Sequence, residues 1–148
     1  MNIVIFTHGD ADGICSGAIA LSAHQDAHIL FSSPHSILED LSKVRDSDKV
    51  IICDISLPEN HLTQILKRLD KIAERGDLTY IDHHPLPRTV LKEKMPGKVV
   101  HNPASSTSEL TYNLFHSKVD LMHTRTAIYG AIADYLGHTP LIQELLQK

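Results

Sequence analysis

The chain has 148 residues, of which 42% are hydrophobic, and a formal net charge of −4 at pH 7. This length suits one globular domain, and the slight acidity argues against a protein that holds long duplexes through a broad basic surface. Cys15 and Cys53 stand far apart among apolar residues, which predicts reduced core thiols of a cytoplasmic protein. No apolar run approaches the length of a membrane span, so no membrane partner is expected.

Short apolar runs alternate with helical patterns in the first half of the chain. The segments NIVIF, AHILF, KVIIC and LTYI predict buried strands. Helical spacing lies between them, at 14–23, at 37–44 with Ser36 as its cap, and at 62–72. Repeated strand, helix and strand units imply right-handed crossovers. We therefore predict an α/β fold, with an open, mostly parallel β-sheet and helices on both faces.

The pattern changes after Pro87. The run KVV at 98–100 predicts a further strand, and Ser106 with Glu109 has the spacing of a capping box at the start of a helix. A last helix is predicted over 127–136. That segment includes Asp134, which would by itself be an ordinary solvated residue.

Acidic residues and histidines follow three of the predicted strands, at the point where each strand ends. Because the carboxyl ends of parallel strands meet at one edge of an open sheet, these side chains should converge there. Converging carboxylates repel one another unless cations lie between them. Oxygen and imidazole ligands without cysteine favour manganese, or magnesium or another borderline divalent ion. The residues concerned are Asp10, Asp12, Asp54, Asp82, His83 and His84.

Four motifs in this order resemble those of the DHH phosphoesterases. They are THGDADG at 7–13, CD at 53–54, DHH at 82–84 and AIADYLG at 131–137. The segment ASSTSEL at 104–110 is similar to the serine/threonine segment of the family's oligonucleotide-cleaving, RecJ-like or nanoRNase-like branch. The resemblance covers nearly the whole chain. It implies that residues 1–148 form the family's N-terminal catalytic domain, without the smaller C-terminal substrate-binding domain that usually follows.

The resemblance also implies a role for each matching residue. It implies two manganese ions, for which magnesium or cobalt would be substitutes, with Asp54 as the bridging ligand. His84 would face the substrate phosphate as a hydrogen-bond donor or general acid, and Asp82 would orient a neighbouring histidine. The ligands of the first ion would be His8, Asp10 and Asp54, and those of the second would be Asp12, Asp54, His83 and Asp134.

Other residues near the motifs are candidates for substrate contacts. Ser105 and Ser106 are interpreted first as helix-capping residues, although a helix N-terminus aimed into the cleft would also favour a phosphate. Arg88 follows the DHH motif and is a nearby cation for a phosphate, although a solvated loop is the simpler interpretation. An aspartate after one strand is commonly a helix cap. The joint placement of four motifs favours the metal centre.

The predicted function is that of a metal-dependent phosphoesterase that hydrolyses phosphodiester bonds of single-stranded or short oligonucleotides. Two ions would activate water and neutralise the phosphoryl group. One alternative is a phosphohydrolase of pyrophosphate or of another small phosphate ester, although a single residue between His8 and Asp10 is shorter than the spacing of the family's pyrophosphatase branch. A second alternative is a metal-binding but weakly active module, completed by a partner chain or by a homo-oligomer that replaces the missing domain.

Overall fold

The structure is a computed structural model that describes residues 1–147. Within that range it contains five strands, six α-helices and two short 3₁₀ turns at Lys92–Lys94 and His116–Lys118. The strands are β1 (Ile3–Thr7), β2 (Ala27–Phe31), β3 (Lys49–Cys53), β4 (Asp77–Asp82) and β5 (Lys98–His101). The helices are α1 (Ala11–Ala23), α2 (Ile37–Ser42), α3 (Leu62–Arg75), α4 (Thr107–Phe115), α5 (Met122–Ala133) and α6 (Pro140–Leu145).

The strands form one parallel sheet in the order β2-β1-β3-β4-β5. The predicted open, parallel α/β sheet is therefore confirmed. The segments AHILF and KVIIC are β2 and β3 to the residue, and the other strands differ from their predicted bounds by one residue at one or both ends. No helix within residues 1–147 combines the length and the apolarity that a bilayer crossing requires.

Alternate residues of the strands point to opposite faces of the sheet, and helices cover both faces. Helices α2 and α3 cover one face, in a core that includes Val4, Phe6, Leu41, Ile52, Leu69 and Tyr80. Helices α1 and α4 cover the other face, in a core that includes Ile5, Ala20, Ile51, Ile81 and Phe115. Helix α5 packs on α1 and α4. It therefore lies on the α1 and α4 side of the sheet.

Two helix starts differ from the predictions. Helix α1 begins at Ala11 rather than at residue 14, because the Asp10 side chain caps it by accepting a hydrogen bond from the Gly13 amide at 2.9 Å. Ser36 stands at the N-cap position of α2 but makes no side-chain bond to that helix, so the predicted cap was wrong. Its hydroxyl instead accepts from the Ser33 amide at 3.1 Å.

The end of α5 also differs from its prediction. The helix ends at Ala133, and Asp134 is its C-cap rather than a residue inside it. Tyr135 adopts a left-handed backbone with φ 60°, which a helix cannot continue. Amides of Tyr135 and Leu136 bond back to the carbonyls of Ile132 and Ala131 and close the last turn. Asp134 is thus presented at a chain reversal.

Candidate metal centre

The carboxyl edge of the sheet aligns three residues of the predicted site. Strands β1, β3 and β4 pair in register, so His8, Asp54 and Asp82 stand at the same level at this edge. Backbone bonds continue the pairing past the strands, from the His8 amide to the Cys53 carbonyl at 3.3 Å and from the Asp54 amide to the Ile81 carbonyl at 2.9 Å. The pairing of the strands therefore fixes the spacing of these side chains.

Asp54 lies at the middle of this edge and is buried. Its backbone is left-handed, with φ 60°, a conformation that aspartate tolerates better than most residues. One carboxylate oxygen, Oδ1, accepts a hydrogen bond from the Thr107 hydroxyl at 2.8 Å. The other oxygen, Oδ2, is buried without a hydrogen-bond partner.

The first group of candidate ligands consists of His8, Asp10 and Asp54. One ligand atom from each lies within 4.8 Å of the other two. His8 Nδ1 lies 2.9 Å from Asp10 Oδ2, although the contact lacks hydrogen-bond geometry. The same Asp10 carboxylate caps α1, so the start of that helix positions this group. These are the residues that the family resemblance implies for the first ion.

The second group consists of Asp12, His83 and Asp134, again with ligand atoms within 4.8 Å of one another. His83 Nε2 lies 2.9 Å from Asp134 Oδ2, 4.0 Å from Asp12 Oδ2 and 3.6 Å from Asp54 Oδ1. Asp54 also meets the same 4.8 Å limit with His83 and His84. Asp54 therefore belongs to candidate groups on both sides of the edge, as a bridging ligand would.

The donor atoms of this cluster fit a bound cation. Buried polar atoms are normally hydrogen-bonded, because an unpaired one keeps the full cost of its desolvation. Across residues 1–147, the buried side-chain atoms without a partner are His8 Nδ1, Asp54 Oδ2, His83 Nε2 and His123 Nδ1. Three of these four lie in the two candidate groups. Nitrogen and oxygen donors of this kind suit manganese and related divalent ions.

The electrostatics of the cluster also favour cations. Burial and the nearby Asp12 carboxylate raise the pKa of Asp54 to about 9. The pKa of Asp12 is raised as well, mainly by burial, although hydrogen bonds from Ser108 and Thr107 oppose the shift. At Asp10, burial acts upward, yet bonds from the Gly13 amide and His8 leave the pKa lowered. A divalent cation would relieve the repulsion between these carboxylates.

A hydrogen-bonded chain behind the cluster orients His84. Asp82 Oδ1 lies 2.8 Å from His84 Nδ1, and Tyr80 donates its hydroxyl to Asp82 Oδ2 at 3.1 Å and to the Ile55 carbonyl at 2.8 Å. An ionised carboxylate only accepts, so Nδ1 must carry the proton. His101 Nε2 donates to the His84 carbonyl at 2.6 Å. The Asp82 bond raises the pKa of His84 and leaves Nε2 of its ring free of that contact.

The N-terminus of α4 reaches the cluster, which the sequence did not predict. The amides of Thr107 and Ser108 donate to Asp12 at 2.7 and 2.9 Å. Ser106 is fully buried and caps α4 through the Glu109 amide, as predicted. The predicted capping box marked the start of the helix. That start was a signal that free amides lie here, but not that they bond to Asp12.

The candidate substrate residues have different surroundings. Ser105 is buried, and its hydroxyl accepts from the Asn102 side chain at 3.4 Å. The hydroxyl of Ser106 lies 3.1 Å from that of Ser108. Arg88 is exposed on the segment that follows β4. Of these three side chains, that of Arg88 is therefore the most accessible to a ligand.

Gly130 on α5 provides a close approach that sequence reasoning missed. A Cβ atom at this position would lie 2.3 Å from Ser108 Oγ and 2.9 Å from Asp12 Oδ1. Glycine to alanine normally stabilises a helix interior by about 1 kcal/mol. Here we expect Gly130→Ala to destabilise the chain by about 1–3 kcal/mol, because the methyl group must displace Ser108 or Asp12.

Urea denaturation in EDTA and a manganese titration would check this prediction together. We expect both the midpoint of unfolding and the manganese affinity to fall. A variant with wild-type affinity and raised stability would show that α4 and α5 can separate at no cost.

A separate groove lies between α4, α5 and α6. It has a volume of about 480 Å³, and its lining includes Tyr112, Leu121, Ile128, Tyr129 and Leu145. None of the described residues that line it carries a carboxylate side chain. It is therefore distinct from the acidic cluster.

Comparison with known families gives one match. The model described as "DHH family, N-terminal domain" matches residues 2–137. That range includes all the candidate ligands in the two groups. A search of curated protein sequences finds no match.

Solved structures similar to this chain include two of RecJ. A manganese-bound exonuclease RecJ shares 21% identity at a TM-score of 0.67, over 99% of this chain and 42% of its own. RecJ in complex with Mn²⁺ from Thermus thermophilus shares 21% identity at 0.68, over 99% and 23%. An uncharacterized protein from Helicobacter pylori G27 shares 15% at 0.59, over 81% and 38%. The chain spans less than half the length of these proteins, and the likeness shows the fold.

Proposed function

Because the chain belongs to the DHH family, whose N-terminal domain it matches over residues 2–137, we propose that it is a metal-dependent phosphoesterase with a dinuclear manganese centre. The observation that carries this proposal is the pair of ligand groups, His8, Asp10, Asp54 and Asp12, His83, Asp134, linked by the buried Asp54. The RecJ structures with the same fold are described as bound to manganese. That description supports manganese as the first ion to test.

The proposed ligands are those of the two groups. His8, Asp10 and Asp54 would hold one ion, and Asp12, Asp54, His83 and Asp134 would hold the other. When bound, the ions supply an activated water and positive charge beside the phosphoryl group. The chain's own contribution is to hold these acidic and histidine side chains at fixed separations, through the ends of three strands and two helices.

His84 is the proposed proton donor to the leaving oxygen. Its Nδ1 proton is held by Asp82, so the ring cannot turn without losing that bond. The bond raises the pKa of His84, which favours the imidazolium form that can donate from Nε2. Tyr80 fixes the other oxygen of Asp82, and His101 fixes the His84 backbone. Asp82 therefore acts through His84 by orienting it.

The proposed substrate is a single-stranded or short oligonucleotide. One of the RecJ structures is described as that of an exonuclease, and the net charge of −4 on this chain offers no broad basic surface for a duplex. Arg88 is exposed after β4 and is proposed as a phosphate contact. Ser105 and Ser106 are proposed to shape the start of α4 beside the substrate phosphate. Their burial supports a role through the backbone of that turn.

Release of mononucleotide from an end-labelled short oligonucleotide tests the proposal. We expect manganese-dependent cleavage by the wild-type chain, and its loss in the double variant Asp82→Ala, His83→Ala. The double variant Asp26→Ala, His28→Ala is the matched control, because both residues are exposed at the opposite end of the sheet. Pyrophosphate serves as the competing substrate.

The outcomes separate the three predicted functions. Faster hydrolysis of pyrophosphate than of the oligonucleotide would contradict the proposed substrate and favour the small phosphate ester. Manganese binding without turnover of either substrate would contradict a self-sufficient hydrolase. That result would favour a metal-binding module that acts together with another domain or a partner chain.

A further inference from the structure

The metal centre is supported from one side by the start of α4, and this support has a specific consequence. We infer that Thr107 is a positioning residue that fixes the carboxylate of Asp54 between the two ligand groups. The inference rests on the proposed dinuclear centre. It assigns a function to a side chain outside the proposed ligand set.

The Thr107 side chain is placed to hold Asp54. Thr107 is fully buried, and its hydroxyl donates to Asp54 Oδ1 at 2.8 Å across 53 residues of sequence. An ionised carboxylate cannot donate, so the hydroxyl must be the donor. A buried donor that meets a buried carboxylate gives a bond stronger than one between neutral groups. The bond therefore holds the carboxylate in one orientation.

That orientation gives the two oxygens of Asp54 different surroundings. Oδ1 lies 3.6 Å from His83 Nε2 and 3.9 Å from His84 Nδ1, whereas Oδ2 is buried with no hydrogen-bond partner. The terminal torsion of aspartate is broad, so an unanchored carboxylate can rotate and exchange these positions. Thr107 prevents that rotation. A ligand shared by two ions needs both oxygens directed in this way.

Asp12 is anchored by a different means, which makes Thr107 testable. Its two oxygens each accept a backbone amide, from Thr107 and from Ser108, and no side-chain substitution on α4 removes those bonds. Asp54 depends on a side-chain hydroxyl instead. Replacing Thr107 should therefore loosen Asp54 while the hold on Asp12 remains.

The experiment is a Mn²⁺ titration of the intact chain, in which the electron paramagnetic resonance signal of free Mn²⁺ reports binding. We expect Thr107→Val to weaken Mn²⁺ binding by about 10- to 100-fold, as is usual when an outer hydrogen bond to a ligand is lost. Thr107→Ser keeps the hydroxyl and should restore affinity to within about threefold. Thr107→Ala replaces the valine variant if valine does not fold.

Thr111→Val is the matched control. Thr111 is a fully buried threonine one turn further along α4, and its hydroxyl donates to the Thr107 carbonyl at 2.8 Å rather than to an acid. We expect wild-type Mn²⁺ affinity in this variant. Equal losses in Thr107→Val and Thr111→Val would indicate a merely structural role and overturn the inference.

The failure of the inference is distinguishable from the failure of the proposed function. Wild-type binding of Mn²⁺ with unchanged affinity in Thr107→Val would overturn the inference and leave the proposed function standing. A wild-type chain that binds no Mn²⁺ would overturn both.

Discussion

Asp54→Asn is expected to abolish manganese-dependent hydrolysis while the fold is retained. Asp54 is the residue shared by the two ligand groups, so its loss affects both proposed ions. We expect kcat/KM to fall by at least about 10³-fold, which corresponds to about 4 kcal/mol of transition-state stabilisation. Asparagine keeps the volume and tolerates the left-handed backbone of φ 60° at this position. Circular dichroism would verify the fold, and steady-state kinetics would measure the loss.

The same variant should be more stable than the wild-type chain when cations are removed. Burial raises the pKa of Asp54 to about 9 in the folded state, from a value of about 3.9 in an unfolded chain. Folding is therefore favoured by protonation, and the wild-type chain loses stability as pH rises from about 4 toward 9. Asparagine has no proton to lose.

Thermal unfolding in EDTA at several pH values would measure this difference. We expect the melting temperature of Asp54→Asn to exceed that of the wild type at pH 8, with a gap that closes toward pH 4. Retained activity together with a melting temperature below the wild type at pH 8 would show that Asp54 is a structural residue.

Manganese affinity is expected to increase steeply with pH. In the absence of cations, Asp54 keeps its proton up to a pH of about 9, so an incoming ion must displace that proton. Displacement of one proton makes affinity rise about tenfold for each pH unit below this pKa. The change between pH 6 and pH 8 would be about 100-fold.

Calorimetric titrations in two buffers of different ionisation enthalpy would count the protons released. We expect about one proton from Asp54 at pH 7, and the raised pKa of Asp12 adds to release in the same direction. Asp54→Asn provides the control, because the contribution of Asp54 should disappear. An affinity that is the same at pH 6 and pH 8 would be incompatible with a buried, protonated Asp54 as ligand.

The sequence predicted the fold class and the edge at which the chemistry lies. The β-branched runs have a period and length typical of buried strands, and three of them are followed by candidate acids. The clearest case is KVIIC followed by Asp54, because β3 has the predicted bounds at both ends. These predictions depend on local patterns, which one chain carries in full.

Other features required long-range information that local patterns lack. Ser36 follows the rule for a cap, yet its hydroxyl bonds to Ser33, which offers a competing local partner. The end of α5 at Ala133 depends on the left-handed Tyr135, a conformation usually found at glycine. Thr107 meets Asp54 only after strand pairing and helix packing have brought them together.

Gly130 shows the same limit from the other side. Nothing in its neighbours distinguishes it from a poorly placed helix glycine. Its reason is the approach of Ser108 and Asp12 to within 2.3 and 2.9 Å of the place that a Cβ would take. A packing constraint between three elements leaves no local signal except the glycine itself.

The most direct test of the metal centre is anomalous diffraction at the manganese edge from crystals grown with Mn²⁺. We predict two peaks separated by about 3.5–4 Å, one on each side of the Asp54 carboxylate. His8 and Asp10 should contact one peak, and His83 and Asp134 the other. Peaks that avoid Asp54, or no peak at the carboxyl edge of the sheet, would contradict the dinuclear centre.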